Sequence, residues 1–132
     1  MTSTSKLLVS LVFAVAALAA PQRAAVIGTV FQIDPDLGAC GWKNTSAQAV
    51  GAVSATTFHS YPGATANPNK NPICHHNMNI TANGITVVVQ IVDYFKEDPN
   101  AGPNDVGIPV PQFVKMAPVR DGIIEDATWI II

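Results

Sequence analysis

The stretch that decides the fold is Val87-Val88-Val89-Gln90-Ile91-Val92-Asp93. Its β-branched run fits a pleated strand better than a helix, because branched side chains crowd a helical turn. Upstream, Asn83-Gly84 separates it from Met78 to Ala82. Asn-Gly between two β-rich runs is a strong hairpin signal, since both residues accept the left-handed backbone of a tight turn. A hairpin of Met78–Ala82 and Ile85–Val92 is therefore expected. Downstream, a loop closes with Gly102-Pro103-Asn104-Asp105. A short helical segment, Pro111 to Ala117, and a last apolar strand, Ile123 to Ile132 with Trp129, complete this half.

The other half reads in shorter pieces. Ala24 to Gln32 alternates weakly and stops at the Asp34-Pro35-Asp36 turn, so it is a first strand packing through Val26, Val30 and Phe31. Leu37 to Trp42 is a glycine-rich bend, and Asn44-Thr45-Ser46 is a loop. Ala49 to Ala55 is a buried strand of small residues. Ser60 to Asn71 is a long loop rich in Pro, Gly and Asn, without periodicity. Many short strands with one helical turn indicate a small all-β barrel or sandwich.

The N-terminus reads as a processing segment. Lys6 supplies a positive start, Leu7 to Ala17 is apolar, and Ala17-Leu18-Ala19 has the small-x-small pattern of a signal peptidase site. The apolar run is shorter than the ~20 residues a bilayer requires, and Pro21 follows. We expect a signal peptide at 1–19, with cleavage after Ala19 or Ala20, a barrel domain at 20–132, and a secreted, extracellular protein. The 132-residue chain has net charge −2. No basic stripe exists to neutralise phosphates, so nucleic acid is not an expected partner. Neither is a membrane, and the protein is expected to be a monomer.

Cys40 and Cys74 are the two cysteines. In an oxidising compartment a lone pair normally closes, stabilising the fold by roughly 3–4 kcal/mol in the chain-entropy description. A zinc site is the rival, because His75 and His76 adjoin Cys74, but no CxxC pair accompanies them. No metal or cofactor is expected. His59, His75 and His76 read as solvent-facing loop residues.

The order of these motifs resembles the expansin-like and rare-lipoprotein-A-like family, in particular its fungal single-domain secreted members, the loosenins among them. The shared features are a threonine-led strand (Thr29-Val30-Phe31), the Gly38-Ala39-Cys40-Gly41 bend after an acidic turn, and Asn71-Pro72-Ile73-Cys74. They continue with Val92-Asp93 ending a strand, the Gly102–Asp105 loop, Pro111-Gln112-Phe113 opening a short helix, and a tryptophan in the last strand. The resemblance covers essentially the whole mature chain. It implies a six-stranded double-psi β-barrel with one or two helical turns, and a Cys40–Cys74 disulfide.

One departure bears directly on chemistry. Where relatives read Asp-Leu-Ser before the short helix, this chain reads Gly107-Ile108-Pro109. Glycoside hydrolysis requires two carboxylates, one to protonate the leaving oxygen and one to activate water. Asp93 matches the family's second acidic position; Asp105, two residues before Gly107, shares its face on a strand, and whether its displaced carboxylate substitutes there is left open by the sequence. Asp93 and Gly107 are expected to face each other across one groove. Tyr94 to Gly102 should form its rim and Gly38-Ala39-Cys40 its opposite wall. Asp34, Asp36, Glu97, Asp98 and Asp105 form either an acidic rim with Asp93 or solvated surface charge.

Asp93, Asp105, Trp42, Tyr94 and Tyr61 are the candidate polysaccharide-binding residues, the aromatics for stacking on sugar rings. Phe58 and Trp129 read as core. Asn44 and Asn79 head glycosylation sequons, and Asn44, in a loop, is the better acceptor. The first functional expectation is a secreted, non-hydrolytic expansin-like protein that binds or loosens cell-wall polysaccharide. The alternative is a protein-binding barrel, a protease inhibitor or a host-interaction or defence protein. A third reading, an oxidising enzyme on this scaffold, lacks any cofactor fingerprint.

Overall fold

The computed structural model describes residues 24–132. The expected signal peptide lies outside the described residues. Six strands close into a barrel: β1 (Val26–Ile33), β2 (Val50–Ser54), β3 (Asn77–Ala82), β4 (Ile85–Phe95), β5 (Val106–Pro109) and β6 (Ile123–Ile131), in the order β1-β5-β2-β4-β3-β6. Two helices interrupt them, α1 (Ala55–Ser60) and α2 (Val110–Phe113). The pairs β1/β5 and β2/β4 are parallel, and the others are antiparallel.

The hairpin forms as its turn chemistry dictates. Asn83 and Gly84 both take positive φ, 53° and 78°, as a two-residue loop with the twist of its strands requires. Asn83 also donates from Nδ2 to the carbonyl of Met116 at 2.9 Å, tying the turn to the segment after α2.

Alternation along the strands sends one set of side chains inward. Val30, Val53, Val87, Val89, Ile91, Val106 and Ile108 fill the barrel with Ile80 and Met78, and Phe58, Phe113 and Trp129 pack with them. Phe58 and Trp129 are core residues, as expected. Fully burying a side chain such as Phe58 contributes roughly 1.5–3 kcal/mol. Cys40 and Cys74 form a disulfide with Cα atoms 5.7 Å apart, so Cys74 is not a zinc ligand.

Helix α1 falls at the end of the expected Ala49–Ala55 strand. Ser54 is its cap, its Oγ accepting from the Thr57 amide at 3.1 Å. Strand β5 is only four residues long and is buried throughout.

Candidate functional site

A β-bulge aims Asp93. Ile91 pairs with Gly51 and points into the core, while Asp93, not Val92, pairs with Ala52. The extra residue reverses the alternation, as bulges do, and turns Asp93 outward. Gly107 pairs with Ala52 from the other side and with Phe31 beyond it. Phe31, Gly107, Ala52 and Asp93 thus form one outward row across four strands. Asp93 and Gly107 sit two strand spacings apart, roughly 9–10 Å. The two positions share one face, but Gly107 does not line the groove beside Asp93, so they do not face each other across it as expected.

The row carries little free polar chemistry. A Cβ on Gly107 would lie 2.6 Å from Ile33 Cγ2 and 2.9 Å from Phe31 Cε2. Those two side chains occupy the space that any side chain at position 107 would need. The ring of Phe31 meets Phe95 edge-on, with centroids 4.9 Å apart. Ala52 is 4 % exposed, so the floor beneath these side chains is covered.

Asp93 is a clamp. Its Oδ1 accepts from the amides of Ala39 at 2.9 Å and Tyr94 at 2.8 Å. Cys40 donates from its amide to the carbonyl of Val92 at 3.1 Å. The Gly38–Cys40 bend therefore sits on Asp93 itself and is not an opposite wall. Gly38 permits this contact, because a Cβ there would stand 2.3 Å from the Val92 carbonyl oxygen.

Asp105 is a second clamp. Oδ1 accepts from Thr29 N at 2.9 Å and Oδ2 from Gly102 N at 2.8 Å. Both oxygens serve backbone amides.

The loop beyond Phe95 leaves the groove. Glu97 accepts from Thr56 N at 2.7 Å and from Thr56 Oγ1 at 2.9 Å, at the start of α1. These bonds, the backbone one first, hold its carboxyl below the usual glutamate range. The pocket left along the groove, about 210 Å3, is lined by Ile33, Asp34, Asp36, Val92, Asp93 and Phe95 among others. Asp34 and Asp36 therefore join Asp93 there, whereas Glu97, Asp98 and Asp105 do not line it.

The candidate aromatic residues are dispersed. The bulge that turns Asp93 out turns Tyr94 toward the core, where its ring packs on Phe58 and His59 at 4.9 and 4.6 Å. Tyr61 packs on His76 at 5.4 Å and lines a separate pocket with Thr57, Ser60 and Trp129. Trp42 is 37 % exposed, on the glycine-rich bend. They do not form one stacking platform.

The expectation for Asn44 is corrected. It is 3 % exposed, and its Nδ2 donates to the carbonyls of Asp36 and Trp42, both at 3.1 Å. A glycan on that nitrogen would need one of these hydrogens and space that the fold does not leave. The sequon marks a buried loop brace and not the better acceptor. Asn79 lies on β3 and faces outward, opposite Val88 and Ile130.

The anchoring roles of Ser54 and Glu97 are absent from the sequence expectations. Ser54 was legible only in that serine is a favoured N-cap residue. Nothing local marks Glu97, whose partner is 41 residues away.

The closed six-stranded barrel with two parallel pairs is a double-psi β-barrel, the fold it shares with its solved structural neighbours. No family model and no curated protein matches the chain. Among solved structures it is similar to the Streptomyces papain inhibitor, with 25% identity and a TM-score of 0.71, over 85% of this chain and 97% of that one. It is also similar to the expansin of Clavibacter michiganensis, both as the apo protein and as a point mutant in complex with cellohexaose. Identities are 14% and 16%, TM-scores 0.60 and 0.59, over 83% of this chain and 50% of each expansin chain. The chain thus spans half the length of those expansins and nearly the whole of the inhibitor.

Proposed function

We propose that this is a secreted, non-hydrolytic, protein-binding barrel whose partner is a papain-type thiol protease. The observation that carries this reading is the correspondence with the papain inhibitor along nearly all of that protein. The groove supports it from the other side. The position of the missing carboxylate is filled by Phe31 and Ile33, Asp105 is engaged by two backbone amides, and the Tyr94 ring, though it borders the groove, is packed on Phe58. What remains is a rigid, disulfide-braced scaffold that presents loops. The disulfide is at home in an oxidising compartment, in keeping with secretion.

The second reading is binding to cell-wall polysaccharide. Its support is the exposed Trp42 beside the bend that Asp93 holds, together with the expansin solved with cellohexaose. One preparation separates the two readings. Inhibition of papain-catalysed peptide hydrolysis, with no co-sedimentation on cellulose, chitin, xylan or peptidoglycan, supports the protease partner. Retention on one polymer that is lost in Trp42→Ala, with papain unaffected, supports the glycan.

A further inference from the structure

We propose that the loop Lys96 to Ala101 is the segment that enters the partner protease's substrate cleft. This surface is separate from the Asp93 groove, and the inference rests on the protease-inhibitor reading. A cleft is blocked without covalent chemistry by a segment that is exposed and already ordered, because ordering a loop on binding subtracts from affinity.

The loop meets both conditions. Lys96, Glu97, Asp98, Pro99 and Asn100 are consecutively exposed. Below them the chain is fastened at several points. Glu97 is held by Thr56 through two bonds. Asp98 and Ala101 exchange backbone bonds at 3.0 and 3.1 Å, and Asp98 Oδ1 accepts from Asn100 N at 2.7 Å. The Pro103 carbonyl accepts from Ser54 Oγ at 2.7 Å, and the Asn104 carbonyl from Trp129 Nε1 at 2.8 Å. The anchors outside the loop therefore come from β2, α1 and β6.

A pocket of about 230 Å3 is lined in part by Thr57, Tyr61, Trp129 and Ile131. Thr57 and Trp129 link it to the chain that follows the loop, since Thr57 bonds the Pro103 carbonyl and Trp129 the Asn104 carbonyl. A protease that takes the loop into its cleft would set the cleft's rim toward this pocket, whose lining mixes Thr57, Ser60 and Tyr61 with Trp129 and Ile131. Another exposed loop, Pro62 to Lys70, is fixed differently. Asn69 lies close against Gly41 of the glycine-rich bend, and Asn71 Nδ2 bonds the Phe58 carbonyl at 2.7 Å, so this loop is folded back onto the body.

The test is the inhibition constant for papain of wild type, Asn100→Arg, Pro99→Gly and the comparison variant Ala66→Arg, each with its unfolding midpoint. The expected result is inhibition by wild type. Asn100→Arg should weaken it at least tenfold, Pro99→Gly several-fold, and Ala66→Arg less than twofold, all with unchanged midpoints. Undiminished inhibition by both Asn100→Arg and Pro99→Gly overturns the assignment of this loop and leaves the inhibitor reading standing. A wild-type protein that does not inhibit papain overturns both.

Discussion

Asp93 and Gly107 sit either side of Ala52, and their roles separate at the level of single atoms. Asp93 holds two backbone amides with one oxygen. Truncating it leaves both donors without that partner, and the penalty for a buried unsatisfied group is about 1–3 kcal/mol. Asp93→Ala is therefore expected to lower stability by an amount in that range, read from urea unfolding, whichever partner the protein binds. Gly107 admits no side chain without displacing Phe31 and Ile33. Overpacking of this kind costs about 1–3 kcal/mol, so Gly107→Asp is expected to lose stability and to release no reducing sugar from soluble glucan. Steady turnover in that variant would show that the groove retains hydrolytic geometry. That position 107 carries no side chain was legible in the sequence. That Phe31 and Ile33 had filled its place was not, because that contact joins β1 to β5 across most of the chain.

At the scale of elements, most strands were legible because their signals are local. The Asn83-Gly84 turn, the β-branched run of β4 and the alternation of β1 each depend on neighbours within a few residues. Two features were not legible. The bulge at Val92 is a mismatch of pairing between β4 and β2, and it decides that Asp93 faces out and Tyr94 in. A strict period of two places those side chains on the wrong faces. The second is the route of the loop after Phe95, set by Glu97 reaching Thr56. The disulfide was legible from cysteine count and resemblance, and its worth can be measured. It closes a loop with a sequence separation of 34. The paired variant Cys40→Ser with Cys74→Ser is expected to lose roughly 3–4 kcal/mol by the chain-entropy relation, measured by denaturant unfolding against the oxidised protein. A loss below about 1 kcal/mol, well short of that relation, would mean that the Gly38–Cys40 bend is held by Asp93 and the backbone alone.

For the molecule as a whole, the functional reading rests on a preorganised surface, and its order should depend on pH. Glu97 is held below the usual glutamate range in the folded protein by its bonds to Thr56. A lowered folded value means that ionised Glu97 stabilises the fold above the unfolded value. That contribution fades as pH falls through the lowered one. The Thr56 amide resonance is accordingly expected to titrate in acid with a midpoint below the ordinary glutamate value of 4.5, and the transition should be absent in Glu97→Gln. The chain's small negative charge is spread over the acidic turn, the loop after β4 and β6, and it forms no basic surface. The most direct measurement of the central claim is a calorimetric titration of the wild-type protein with papain, and with cellohexaose under the same conditions. The expected result is saturable one-to-one binding to papain and no heat with cellohexaose. Saturable binding of cellohexaose that is lost in Trp42→Ala, with none to papain, would contradict it.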